Sequence, residues 1–136
     1  MATRGRIGIE LSDGSILSIY SHWDNYPEYN GRILRTHYNT REKVEELIDS
    51  GDCSSIWTDS IWGKPRTDGK KYGPEPYSAR GDVTEPRYDM SLVTYLANGE
   101  EYAYIFKDGE WVCYDTKSWS ETYLQQVEIP SGALAV

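Results

Sequence analysis

Two short blocks hold the side chains best suited to chemistry: His22-Trp23-Asp24-Asn25-Tyr26-Pro27 and, soon after, Arg35-Thr36-His37-Tyr38. Both histidines of the chain lie in them. An imidazole titrates near neutral pH, so His22 or His37, oriented by Asp24, can shuttle a proton. Two imidazoles and a carboxylate are also a donor set for a transition metal. Trp23 and Tyr26 can stack on a planar ring, and Arg35 can pair with an anion. Residue types alone leave these chemistries open.

What the chain lacks narrows them. Nucleophilic catalysis needs a hydroxyl or thiol activated by a base. No Gly-x-Ser-x-Gly elbow occurs, and Cys53 is the only thiol in this half of the chain. The spacing of His22, Asp24 and His37 matches no established ligand pattern, so no metal is assigned. A P-loop and a Gly-x-Gly-x-x-Gly run are both absent, so a phosphate site here would be unorthodox. The reading is a ligand-binding cluster of His22, Trp23, Asp24, Tyr26, Arg35 and His37. No catalytic residue and no cofactor is assigned, and a small enzyme using His22 or His37 is an alternative.

Two further stretches suit a partner. Glu42, Glu45, Glu46 and Asp49 fall on one face of a helical pattern, and such an acidic row can steer a basic surface. Lys64, Arg66, Lys70, Lys71, Arg80 and Arg87 interleave with Tyr72, Tyr77 and Tyr88. Basic and aromatic residues together can hold a phosphate-rich strand or anchor a protein contact. Arg80-Gly81-Asp82 is read as a coincidental tripeptide.

The elements that must position these groups follow from periodicity. Arg6–Leu11 and Ile16–His22 alternate across an Asp13-Gly14 turn, which predicts a β-hairpin with His22 at its exit. Pro27 suits the first turn of a helix carrying Tyr29, Ile33, Leu34, His37 and Tyr38. Asn39 is expected to cap a second helix whose Val44, Leu47 and Ile48 form its apolar stripe and which Gly51 stops. Residues 54–57 suit a short strand or turn. The span 62–87, with four prolines and several glycines, reads as a long loop. Residues 91–96 read as a strand, and 101–106 with 110–114 as a hairpin around Lys107-Asp108-Gly109. In the tail, Trp119, Tyr123 and Val127 suggest a helix, and residues 129–132 an end that frays.

Composition bounds the rest. At 136 residues the chain suits one domain, 1–136, and 38% hydrophobic content is too high for disorder. No apolar run spans a bilayer, and no signal peptide is read at the start, so a cytoplasmic location is expected. The net charge of −8 argues against duplex nucleic acid as a partner. Cys53 and Cys113 are expected to be buried free thiols. Twelve tyrosines and five tryptophans leave material for self-association.

One resemblance crosses these motifs. His22-Trp23-Asp24-Asn25-Tyr26-Pro27, His37-Tyr38, Glu42-Lys43-Val44-Glu45-Glu46-Leu47-Ile48, Gly51-Asp52-Cys53-Ser54-Ser55 and Phe106-Lys107-Asp108-Gly109-Glu110-Trp111 appear in that order. They resemble a group of small uncharacterised proteins of bacteriophages and bacteria. Asn25 stands where that group has glycine, and both residues tolerate positive φ, so the turn is expected to survive. The resemblance carries no activity. It implies a small soluble accessory protein, phage-encoded and acting in the host cytoplasm.

The expected fold is α+β: an N-terminal β-hairpin, two short helices and a C-terminal antiparallel β-meander, with the helices packed on one sheet face. The expected role is a binding protein that inhibits a host component. Binding or sequestering a nucleotide-like ligand is the other expectation.

Overall fold

The computed structural model describes residues 2–97, 100–120 and 123–132, with backbone alone at 118–120 and 123–124. Strands β1 (Gly5–Glu10) and β2 (Ile16–Ser21) form the expected hairpin, with Gly5 opposite Ser21 and Glu10 opposite Ile16. A π-helical turn (Pro27–Gly31) leads into α1 (Arg32–His37), then α2 (Arg41–Asp49). The chain re-enters the sheet as β3 (Cys53–Thr58), parallel to β2 at the Ser21–Cys53 pair. A small ribbon of β4 (Ser60–Ile61) and β5 (Lys64–Pro65) follows, then β6 (Gly73–Pro76), which pairs with β3. After a 3₁₀ turn (Tyr77–Arg80) come β7 (Arg87–Asp89), α3 (Leu92–Leu96), β8 (Tyr102–Lys107), β9 (Glu110–Ser120) and β10 (Tyr123–Val127).

The main sheet runs β10-β9-β8-β1-β2-β3-β6, with β7 added beside β2. β8 and β9 form the expected hairpin, β10 extends it to an antiparallel meander from a segment expected to be helical, and β8 lies parallel to β1. The β8–β9 turn places Asp108 at φ 52° and Gly109 at φ 80°. Two successive positive φ values match the right-handed twist of the flanking strands.

Strand alternation sends side chains to two apolar layers. On one face Ile7, Ile9, Ile19, Tyr104, Phe106 and Cys113 pack against Ile33, Leu34, Val44, Leu47 and Ile48 of α1 and α2. This is the expected face of helices. Each such fully buried aliphatic side chain stabilises the fold by roughly 1.5–3 kcal/mol. On the other face Ile16, Ala103 and Ile105 meet Tyr95 and Leu96 of α3. Buried aromatic rings satisfy their polar ends: Tyr38 Oη donates to the Ile56 carbonyl at 2.7 Å and Trp111 Nε1 to the Tyr38 carbonyl at 2.8 Å. Among the described residues, no helix is long and apolar enough to cross a membrane.

Several local expectations are corrected. Residues 91–96 hold a helix, because Ser91 and Thr94 form a reciprocal capping box and only Tyr95 and Leu96 are buried. The cap of α2 is Thr40, whose hydroxyl accepts from Lys43 N at 3.3 Å, so Lys43 and not Glu42 occupies the third helical position. The tail is strand, not helix, since β10 pairs with β9 through Val127 and Cys113. Ile129 does not fray: it is 6% exposed and belongs to the main core. The span 62–87 carries β5, β6, the 3₁₀ turn and the start of β7.

Candidate functional site

The six residues read as one cluster occupy three places. His22, Trp23, Asp24 and Tyr26 lie where the chain leaves β2. His22 N and Trp23 N donate to the Cys53 and Ser54 carbonyls at 3.2 and 2.9 Å, and Tyr20 Oη stands 2.7 Å from His22 Nδ1. Two buried amides hold this exit. Asn25 Nδ2 donates to the Thr3 and Ser21 carbonyls at 3.0 and 2.9 Å, and Asn30 Nδ2 donates to the Trp23 carbonyl and Asn25 Oδ1, both at 3.0 Å. The left-handed residue is Asp24, at φ 63°, and not Asn25. Asn25 serves instead as a buried hydrogen-bonding clamp. Trp23 and Tyr26 face outward, 43% and 36% exposed.

Arg35 is elsewhere. Its Nη1 donates to the Ile129 carbonyl at 2.7 Å, tying α1 to the segment after β10. His37, at the end of α1, turns into a third place. Among the described residues no three His, Cys, Asp or Glu side chains converge as a metal site. The pair His22–Asp24 and His37 are therefore not one donor set.

That third place is a cleft of about 490 Å³ between α2, Trp57 of β3 and the ribbon of residues 61–76. Its wall is a ladder of three nearly parallel rings. His37 lies 4.1 Å from Trp57 at 18°, and Trp57 lies 5.4 Å from Tyr72 at 17°. The rings come from α1, β3 and the turn before β6, so only the tertiary fold stacks them. Tyr38 meets Trp57 edge-on at 6.1 Å and closes the back. Burial and then the neighbouring Lys43 ammonium lower the His37 pKa.

One buried arginine fixes the turn that carries Tyr72. The Arg66 side chain is 3% exposed. Its Nη1 donates to the Thr58 and Pro74 carbonyls, both at 3.1 Å, while Nε and Nη2 grip the Asp68 carboxylate at 3.2 and 2.6 Å. These bonds to the guanidinium lower the Asp68 carboxyl to about 2. A β-carbon on Gly73 would stand 2.7 Å from Arg66 Nη2, so only glycine leaves room for this arrangement. The turn is thus held by contacts internal to the chain.

Two hydroxyls at the cleft, those of Tyr38 and Ser50, are committed to backbone. Ser50 Oγ donates to the Leu47 carbonyl at 2.6 Å, and burial pushes the Tyr38 phenol pKa up. Cys53 and Cys113 are free and buried, and burial pushes both thiols up to about 12.

The acidic face of α2 is exposed but partly engaged: Glu45 pairs with Arg41 at 3.0 Å, and Glu46 reaches Lys70 across the cleft mouth. Glu42 and Asp49 remain on the outer face. Arg80 lies 4.4 Å over Trp62 and 4.7 Å over Tyr77 and pairs with Asp82 at 3.1 Å, so Arg80-Gly81-Asp82 is an internal ion pair. Sequence reasoning found His37 and, in the basic-aromatic run, Arg66, Lys70 and Tyr72. It missed Trp57 and Lys43, which carry no signal beyond residue type. The chain matches no protein-family model, no curated protein and no solved structure.

Proposed function

We propose that this is a small ligand-binding protein, and that the cleft holds the planar ring of a small nucleotide-like molecule. One observation carries the reading: the His37–Trp57–Tyr72 ladder walls a cleft of about 490 Å³, within the size range of small-molecule sites. An aromatic lining favours a flat ligand that adds a further ring to the ladder, since any base offers a π-face. The buried Arg66 supports the reading further, because it holds the turn that carries Tyr72 in place. Binding is favoured over catalysis because the Tyr38 and Ser50 hydroxyls both donate to backbone carbonyls. For a phage-encoded accessory protein, holding such a molecule would withhold it from the host.

Titration with the four common nucleosides, followed by quenching of tryptophan fluorescence, tests this. At least one should bind, and Tyr72→Ala should weaken it by about tenfold, the worth of one stacking partner. Tyr72 is half-buried on the ribbon, so the variant should still fold. Binding unchanged in Tyr72→Ala, or absent from wild type, would remove the ladder as the site.

A further inference from the structure

The charge around the cleft adds a second requirement on its ligand, resting on the ring-binding reading above. Lys43, Arg66 and Lys70 line the cleft with two carboxylates, Glu46 and Asp68. One positive charge is therefore in excess, inside a chain of net charge −8. Arg66 is not available to a ligand, because four hydrogen bonds lock its guanidinium in the wall. Lys43 has no carboxylate partner among the described residues; its Nζ touches Asn39 Oδ1 at 3.4 Å. Lys70 reaches from the ribbon to Glu46 of α2. Lys71 Nζ stands 5.8 Å from the centre of the Tyr72 ring.

We propose that the ligand carries a phosphate-like anion beside its ring, bound by Lys43 and Lys70, and that Glu46 holds the place of that anion in the ligand-free protein. The Lys70–Glu46 pair is well exposed, at 43% and 64%. Exposed ion pairs are weak, so a ligand can displace this one readily. A phosphate offers Lys70 more charge and more acceptor oxygens than a carboxylate does. The rings of the ladder, Lys43 and Lys70 all line this one cleft, so one molecule can meet both.

Calorimetric titration of the full chain with the four nucleosides and their 5′-monophosphates tests the inference. The monophosphate should bind about tenfold tighter than its nucleoside, as expected for charge-assisted hydrogen bonds. Glu46→Gln should tighten the monophosphate by about threefold and leave the nucleoside unchanged. The double variant Lys43→Gln/Lys70→Gln should abolish the preference. All three side chains are exposed, so these variants should fold. Equal affinity for nucleoside and monophosphate, or a preference that survives the double variant, would overturn the inference while the ring reading stands. A monophosphate response that Glu46→Gln does not change would overturn the role of Glu46. Failure of every nucleoside and monophosphate to bind would overturn both readings.

Discussion

His37 is an imidazole stacked on an indole, and its lowered pKa makes the stability of the fold sensitive to mild acid. Burial, and then Lys43, lowers its folded pKa below the ordinary 6.5. The unfolded chain therefore takes up a proton near 6.5 before the folded one does. The stabilisation is full above that pH and is lost as pH falls through the folded value. The thermal midpoint should accordingly drop from pH 7 to pH 5.5, and His37→Gln should flatten that slope. An identical slope in wild type and variant would assign the acid sensitivity to other groups. Asp68 has the same sign at lower pH: its pairing with Arg66 persists until the carboxyl protonates at about 2. The two histidines were legible in the sequence as chemistry-bearing residues. Their separation was not, because spacing along a chain does not tell which side of a strand exit a side chain leaves from.

At the scale of elements, the decisive device is the turn from Arg66 to Gly73. Proline and glycine content marks this span as irregular, and irregular spans read as loops. What orders it is a single guanidinium that satisfies two carbonyls and a carboxylate at once. Gly73→Ala would push a β-carbon into that guanidinium, which has little freedom to retreat. We expect a loss of about 1–3 kcal/mol in stability, typical of overpacking, together with weaker ligand binding. Chemical denaturation and the nucleoside titration read the two effects; a variant as stable and as tight as wild type would show that Arg66 does not hold the wall. The capping box of α3 teaches a related lesson. Ser91-Leu92-Val93-Thr94-Tyr95-Leu96 is rich in β-branched and apolar residues, which favours strand locally. Ser91 and Thr94 bond to each other's backbone instead, and the helix buries Tyr95 and Leu96 on the far side of the sheet.

Across the whole molecule, the sheet joins parts distant in sequence. β1 pairs with both β2 and β8, so the N-terminal hairpin and the C-terminal meander share one frame. The segment after β10 closes it. Ile129 lies in the core against Gly31, where an added β-carbon would approach Ile129 Cγ2 to 3.0 Å, and Arg35 grips its carbonyl. Ile129→Ala should therefore cost about 2–5 kcal/mol, a core-sized loss. Urea unfolding measures it, and a loss below about 1 kcal/mol would mean that this segment is peripheral.

The local devices of this protein were determined by its sequence. Alternating β1 and β2, the Asp108-Gly109 turn, the apolar stripe of α2 and its Gly51 stop depend on neighbours within a few residues, where period and backbone preference act directly. The aromatic cleft was decided by tertiary structure alone. Its three stacked rings stand at positions 37, 57 and 72, on elements that meet only once the sheet has formed. Stacking is a property of distance and angle in space, and no residue spacing encodes it.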